Sequence, residues 1–225
     1  LEKFANSIFN EFKKVAGVCV NFNSKKTNVI LGRETKCVCG QDFIEEKILD
    51  KVFKIGADTF FQVNPKSAEN IFKYVKKEIA KLERPTVLDA YAGIATFGIC
   101  VSDVAEKVTS VEENSSSIEK AKEVLELNKI DNVELFAQDT LKYLQSIKKK
   151  FDVTILDPPR KGCTQEVLDE VLKHSKTSFS NKECNEIFCS AQNDEKVEKS
   201  PKSKIIYVSC NPATLARDLK YLTEH

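Results

Sequence analysis

From Pro85 onward, short apolar runs alternate with longer amphipathic stretches, and few folds accommodate that rhythm. The runs are Thr86–Leu88, Lys107–Val111, Val133–Ala137, Val153–Leu156 and Ile205–Val208, each of strand length and carrying β-branched or aromatic residues. Between the second and third, Ile118, Ala121 and Leu125 share one helical face behind a Ser116-x-x-Glu119 capping box. Apolar strands separated by helices predict a parallel sheet covered on both faces. The expected fold is α/β, a doubly wound, Rossmann-like domain over residues 65–225.

The first 64 residues have a different texture. Leu1, Phe4, Ile8 and Phe12 recur at helical spacing within an amphipathic helix predicted over residues 1–14. Short β-rich runs follow at Val18–Phe22, Asn28–Leu31, Lys36–Cys39, Val52–Ile55 and Thr59–Val63, separated by polar turns. They predict a small α+β, β-rich subdomain over residues 1–64. Asn64-Pro65 then supplies an N-cap and a first-turn proline for a helix with Ala68, Ile71, Phe72, Val75 and Ile79 as its buried stripe. The polar stretch 175–203 reads as a solvated insertion before the fifth strand.

Composition excludes some classes. Thirty-five basic and 34 acidic residues leave +1, so a nucleic-acid partner must be held by a local patch or by a part outside this chain. No apolar run approaches the ~20 residues that span a bilayer, and the first residues lack a signal-peptide layout. The chain lacks methionine, which suggests a piece of a longer protein. The eight cysteines lack disulfide-framework spacing, so a reducing cytoplasm is expected. Cys37 and Cys39 would share a strand face, but no further ligands accompany them and no metal site is expected. Cys184 and Cys189, inside the insertion, read as incidental.

Val87-Leu88-Asp89-Ala90-Tyr91-Ala92-Gly93 leads from the first strand into a turn and a helix start. In doubly wound sheets the ligand lies beyond the carboxyl ends of the strands. Only Gly93 and Gly98 are glycine here, so the turn is a poor phosphate cradle. Glu112 ends the second strand, where a carboxylate would hold a ribose diol, and Asp139 follows the third, where it could receive an adenine amino group. An acidic ribose ligand with a weak phosphate turn points to S-adenosylmethionine. Both residues also read as ordinary polar strand ends.

Asp157-Pro158-Pro159-Arg160 ends the fourth strand, its two prolines making a rigid corner that holds the Asp157 carboxylate near cofactor and substrate. After the fifth, Ser209-Cys210-Asn211-Pro212 delivers Cys210 to a polar turn at the start of a helix. C5 of uracil is a poor nucleophile until a thiolate adds to C6, and Cys210 is placed for that attack. The alternatives are a buried structural cysteine, an amino-group methylase built on Asp157-Pro158-Pro159, or a fragment that binds cofactor or RNA without catalysis. Arg160 stands where amino-group methylases usually carry a base-stacking aromatic residue.

Phe60-Phe61-Gln62-Val63-Asn64-Pro65, Val87–Phe97, Asp157-Pro158-Pro159-Arg160-Lys161-Gly162 and Val208–Asp218 resemble the RNA uracil-5-methyltransferase family, which modifies 23S ribosomal RNA or transfer RNA. The resemblance implies an S-adenosylmethionine-dependent enzyme acting on RNA rather than DNA. It assigns Gln62, Tyr91, Glu112 and Asp157 to the cofactor, beside the Gly93 turn, and Asp157 and Gln62 also to a flipped-out uracil. Cys210 becomes the nucleophile. It further implies that the family's RNA-binding β-barrel, any iron–sulfur cluster, its general-base glutamate and two final strands lie outside this chain. An uncovered fifth strand would then make the isolated chain aggregation-prone.

Overall fold

The computed structural model describes residues 1–24, 31–32, 34–59, 61–62, 64–176 and 203–225. Helix α1 (Glu2–Glu11) precedes an antiparallel pair, β1 (Gly17–Phe22) and β2 (Glu34–Gly40), and a hairpin, β3 (Phe43–Ile48) and β4 (Lys51–Gly56). Then come α2 (Pro65–Ile79), β5 (Thr86–Ala90), α3 (Thr96–Val101), β6 (Lys107–Glu112), α4 (Ser115–Asn128), β7 (Val133–Ala137), α5 (Thr140–Ser146), β8 (Val153–Leu156), α6 (Gln165–Lys173), β9 (Lys204–Tyr207) and α7 (Pro212–Glu224). Strands β5 to β9 form one parallel sheet in the order β7-β6-β5-β8-β9. The chain winds outward from β5 to β7, then crosses back to β8. The reversal between β5 and β8 is the switch point of a doubly wound sheet, as the strand–helix rhythm predicts.

Period-two alternation divides the core. Val87, Val108 and Ile155 face α2, α3 and α4, where Phe72 meets Phe97 edge-on with centroids 4.7 Å apart. Leu88, Val111 and Leu156 face α5, α6 and α7 through Leu144, Leu168 and Leu222. The β3–β4 hairpin adds Ile48 and Phe53 to the first core. Asn128, the last residue of α4, fastens it: Oδ1 accepts from Val52 N–H at 2.9 Å, and Nδ2 donates to Val52 O at 2.7 Å. No helix among the described residues is long and apolar enough to cross a membrane.

Several local expectations are corrected. Helix α4 is capped by Asn114, whose Oδ1 accepts from Ser116 N–H at 3.0 Å. It therefore begins before the Ser116 box, and Glu119 pairs with Lys122 instead. Thr59–Val63 is not a strand at described positions 59, 61 and 62. A turn closed by Thr59 N–H and Oγ1 on Gly56 O ends β4, after which Phe61 packs toward Phe53. Helix α1 stops at Glu11 and buries Ala5, while Leu1, Phe4 and Phe12 lie on the surface. Ile71 in the α2 stripe is exposed too. Strand β3 was unforeseen because three charges break its apolar pattern. Of Asn28–Leu31, residues 28–30 lie outside the described residues, as do 177–202 of the insertion and with them Cys184 and Cys189. The insertion's flanks, Ser175 and Ser203, are buried rather than solvated.

The Cys37–Cys39 pair is also rearranged. Val18 pairs with Cys39 and Cys19 with Cys37, so Val38 is an extra residue in a β-bulge. Val18 and Cys19 project to opposite faces, and the bulge sends Cys37 and Cys39 after them.

Replacing Asn128 by Ala removes three hydrogen bonds, two to Val52 and one to Val124 O. We expect a loss of about 1–3 kcal/mol in urea unfolding, with faster amide exchange confined to β3 and β4.

Candidate active site

Five parallel strands bring five chemically loaded residues to one edge. Asp89 lies inside β5, Glu112 ends β6, Asp139 follows β7, Asp157 follows β8 and Cys210 follows β9. Among the described residues, no Lys, Arg or His forms an ion pair with any of the four carboxylates. The edge is acidic, with no cation paired directly to it among the described residues.

Each carboxylate is held differently. Asp89 is completely buried: Oδ2 accepts from Gly98 N–H at 2.9 Å and Ser110 Oγ at 3.1 Å, while Oδ1 has no hydrogen-bond partner. Burial pushes its carboxyl up to about 7 against those two hydrogen bonds, and the nearby charges of Asp157 and Glu112 push the same way. Glu112 bridges two turns, its Oε2 accepting from Gly93 N–H at 2.9 Å and its Oε1 from Asn114 N–H at 2.8 Å. Asp139 caps α5, Oδ1 accepting from Lys142 N–H at 3.0 Å. Asp157 is half-buried, and burial raises it to about 6.

The turn after β5 is contorted, with Tyr91, Gly93 and Ala95 all at positive φ (61°, 57° and 57°). A Cβ on Gly93 would meet nothing within 4 Å, so the turn leaves open space there, and its positive φ favours glycine. Tyr91 sends its hydroxyl to Cys163, and burial raises its pKa. Gln62 is half-buried in irregular chain between β4 and α2.

Cys210 is exposed, at the apex of the turn from β9 to α7. Asn211 caps α7 through Oδ1 on Ala213 N–H, and Ser209 Oγ accepts from Asn211 N–H. The turn is tied to the Asp157 loop: Asn211 Nδ2 and Thr214 Oγ1 both donate to Arg160 O, at 3.2 and 3.3 Å. β8 pairs with β9 alongside, and Val208 N–H donates to Leu156 O at 2.7 Å. The two sequence motifs thus form one structural unit.

Behind that unit lies a hub to which the sequence reading gave no role. Asp218, 1% exposed, accepts from the Tyr207 hydroxyl at 2.5 Å and Cys163 N–H at 2.8 Å through Oδ2, and from Arg217 Nε at 2.7 Å through Oδ1. Arg217 also donates to the carbonyls of Lys161 and Cys163. Tyr207 and Asp218 flank Cys210 in sequence, so their bond closes the loop that carries the thiol. Gly162, at φ 76°, passes so close that a Cβ would sit 2.5 Å from Asp218 Oδ2. The pairing Arg217-Asp218 was visible in the matched motif; its partners across the fold were not.

Lys148, Lys149 and Lys150 precede the amino end of β8, at the sheet edge opposite Cys210, and Lys149 is drawn over the Phe151 ring toward Thr109. A cleft of about 590 Å³ opens between α6 and α7 beside the Asp218 hub, but holds none of the predicted site residues.

A family model described as "Conserved hypothetical protein 95" matches residues 65–209. The chain is 34% identical over 218 residues to an uncharacterized RNA methyltransferase of Gloeobacter violaceus, covering 97% of this chain and 42% of that protein. It is 35% identical over 216 residues to another of Leptospira interrogans, covering 96% and 48%. The chain thus spans less than half the length of these relatives. Among solved structures, the Pyrococcus abyssi tRNA (uracil-54, C5)-methyltransferase in complex with S-adenosyl-L-homocysteine superposes with a TM-score of 0.68 at 28% identity, over 96% of this chain and 46% of that one.

The raised Asp89 carboxyl has a testable sign. The folded chain keeps a proton that an unfolded aspartate, with a pKa of about 3.9, releases. This contribution to stability is fully present below about pH 4 and is lost as pH rises through about 7. The stability of the parent relative to Asp89→Asn should therefore fall by a few kcal/mol across that window, read from urea unfolding of both proteins at each pH.

Proposed function

We propose that this chain, which belongs to the family described as Conserved hypothetical protein 95, is the catalytic core of an S-adenosylmethionine-dependent RNA methyltransferase acting on C5 of uracil. The observation that carries the reading is the acidic edge with one exposed thiol beside it. Four carboxylates without paired cations disfavour a phosphate-bearing cofactor and favour one that brings positive charge. S-adenosylmethionine fits, with its sulfonium and ammonium groups, and would supply an electrophilic methyl group. The open space at Gly93 gives it room, since a Cβ there would meet nothing.

In this reading Glu112 holds the ribose diol with the lone pairs its two backbone bonds leave free, and Asp139 takes the adenine amino group through its second oxygen. Gly93 gives close backbone approach, and Gln62 and Tyr91 line the pocket. The Cys210 thiolate adds to C6 of a flipped-out uracil, and the electron pair displaced toward C5 makes that carbon nucleophilic. Once C5 is methylated, a base removes its proton and the Cys210–C6 bond breaks, restoring the thiolate and the aromatic ring. Asp157, on the strand end beside Cys210, contacts cofactor and base from its rigid Pro158-Pro159 corner.

The relatives' names support RNA as the substrate class, and the Pyrococcus structure, named for C5 of a tRNA uracil, supports the atom and the cofactor. The amino-group alternative would leave Cys210 without a role, and Arg160 supplies no aromatic face for stacking.

The test uses RNA containing 5-fluorouridine with S-adenosylmethionine. Fluorine cannot leave as a proton, so the adduct accumulates and migrates as a protein–RNA band under denaturing conditions. The parent should form it, and Cys210→Ala should form at least ~10³-fold less in the same time. Comparing ribosomal and transfer RNA identifies the preferred substrate. An adduct that persists in Cys210→Ala would remove the thiolate mechanism; cofactor binding without any adduct would favour a binding fragment.

A further inference from the structure

The bulge that separates Cys37 from Cys39 gives Cys37 another thiol neighbour. Cys19 and Cys37 are direct partners across the antiparallel β1–β2 ladder. Antiparallel partners have Cα atoms about 4.5 or about 5.5 Å apart, according to whether the pair exchanges backbone hydrogen bonds. Both values fall within the roughly 4.4–6.8 Å that a disulfide spans. The Cys37 thiol lies close enough to Cys19 to add to the burial that raises the cost of ionising it. Both are free and partly exposed. They line a cleft of about 300 Å³ together with Asp42, Asp58 and Lys120, whose ammonium pairs with Glu123 at 3.1 Å and with Asp42 at 4.0 Å. Neither takes part in the chemistry proposed for Cys210, and both sit on a sheet separate from the one that carries it.

We propose that Cys19 and Cys37 form a dithiol site that exchanges with low-molecular-weight disulfides of the glutathione class and closes to a reversible cross-strand disulfide. The thiolate of Cys37 attacks one sulfur of the oxidised reagent, whose S–S bond breaks and releases one thiolate that takes a proton from solvent. The Cys19 thiolate then attacks the Cys37 sulfur of the mixed disulfide and expels the second reagent thiol. Two protein thiols are oxidised, and one reagent disulfide is reduced to two thiols. Cys37 rather than Cys19 takes the first step, because burial raises the Cys19 thiol and leaves less of it as thiolate, whereas the second step is intramolecular between adjacent strands. A two-stranded ladder is marginal by itself, so a bridge between its strands stiffens it.

The full chain is equilibrated in reduced and oxidised glutathione at several ratios, quenched with an alkylating agent and digested without reduction. The expected product is a peptide pair joined through Cys19 and Cys37, more abundant than any other linkage and lost on returning to excess reduced glutathione. Cys39→Ser should leave that product in place. Cys19→Ser and Cys37→Ser should each replace it with a glutathione adduct on the remaining partner. Amide exchange in β1 and β2 should slow about tenfold on oxidation while the five-stranded sheet is unchanged. Stable glutathione adducts on both cysteines of the parent, or a dominant link through Cys39 or Cys210, would overturn the proposal. None of these readouts depends on methyl transfer.

Discussion

Every strand of the main sheet runs the same way, and the rest of the molecule depends on that constraint. Parallel pairing forces each connection to cross a face of the sheet, so helices cover both sides and the strands are apolar on both. It also sends all five carboxyl ends to one edge. Residues far apart in sequence, Asp89 through Cys210, therefore need no long loops to meet. The reversal between β5 and β8 opens the crevice: β6 and β7 go one way, β8 and β9 the other. The Glu112–Asp139 side and the thiol side are the two flanks of that single switch point.

Precision on the thiol side comes from a second device. Strand β9 is only four residues long and is held by β8 on its one paired side among the described residues. A thiol at the end of so short a strand would be poorly fixed by the ladder alone. The Tyr207–Asp218 bond clamps the base of the turn, and Arg217 extends the clamp to the Lys161–Cys163 carbonyls. Asn211 and Thr214 fasten the apex to Arg160 O. Asp218 is a buried charge whose oxygens carry three hydrogen bonds, so its desolvation is offset by geometry that also sets the loop. Cys210 stays exposed because the polar work is done beneath it.

The fold was legible because apolar periodicity is a local property, and five strands landed within a residue or two of their runs. What was misread depended on partners distant in sequence. Phe43–Ile48 becomes a strand because Lys51–Gly56 pairs with it, despite its charges. The Ser116 box lost to Asn114, which sits where the chain leaves β6. Cys37 and Cys39 look paired under strict alternation, but a single bulged residue reassigns them. In the site, the strand-end residues were readable because topology alone brings them together. The buried Asp89 and the Asp218 hub were not, since burial and cross-fold hydrogen bonds leave no trace in spacing.

A polyanion approaching an acidic edge poses an electrostatic problem, and the structure contains part of its solution. Two of the four carboxylates sit where burial raises them, Asp157 to about 6 and Asp89 to about 7. Near neutral pH the edge carries less negative charge than four ordinary carboxylates would. On the proposed reading, a cofactor bearing a sulfonium and an ammonium lowers it further and draws Asp157 toward its ionised form. Repulsion felt by RNA phosphates is then smallest once the cofactor is seated. Coulomb energy between charges in a half-buried site is several-fold larger than in bulk water, so this ordering is more than a detail. On the same reading, seating the cationic cofactor first lowers the repulsion that an anionic substrate meets on its way to Cys210.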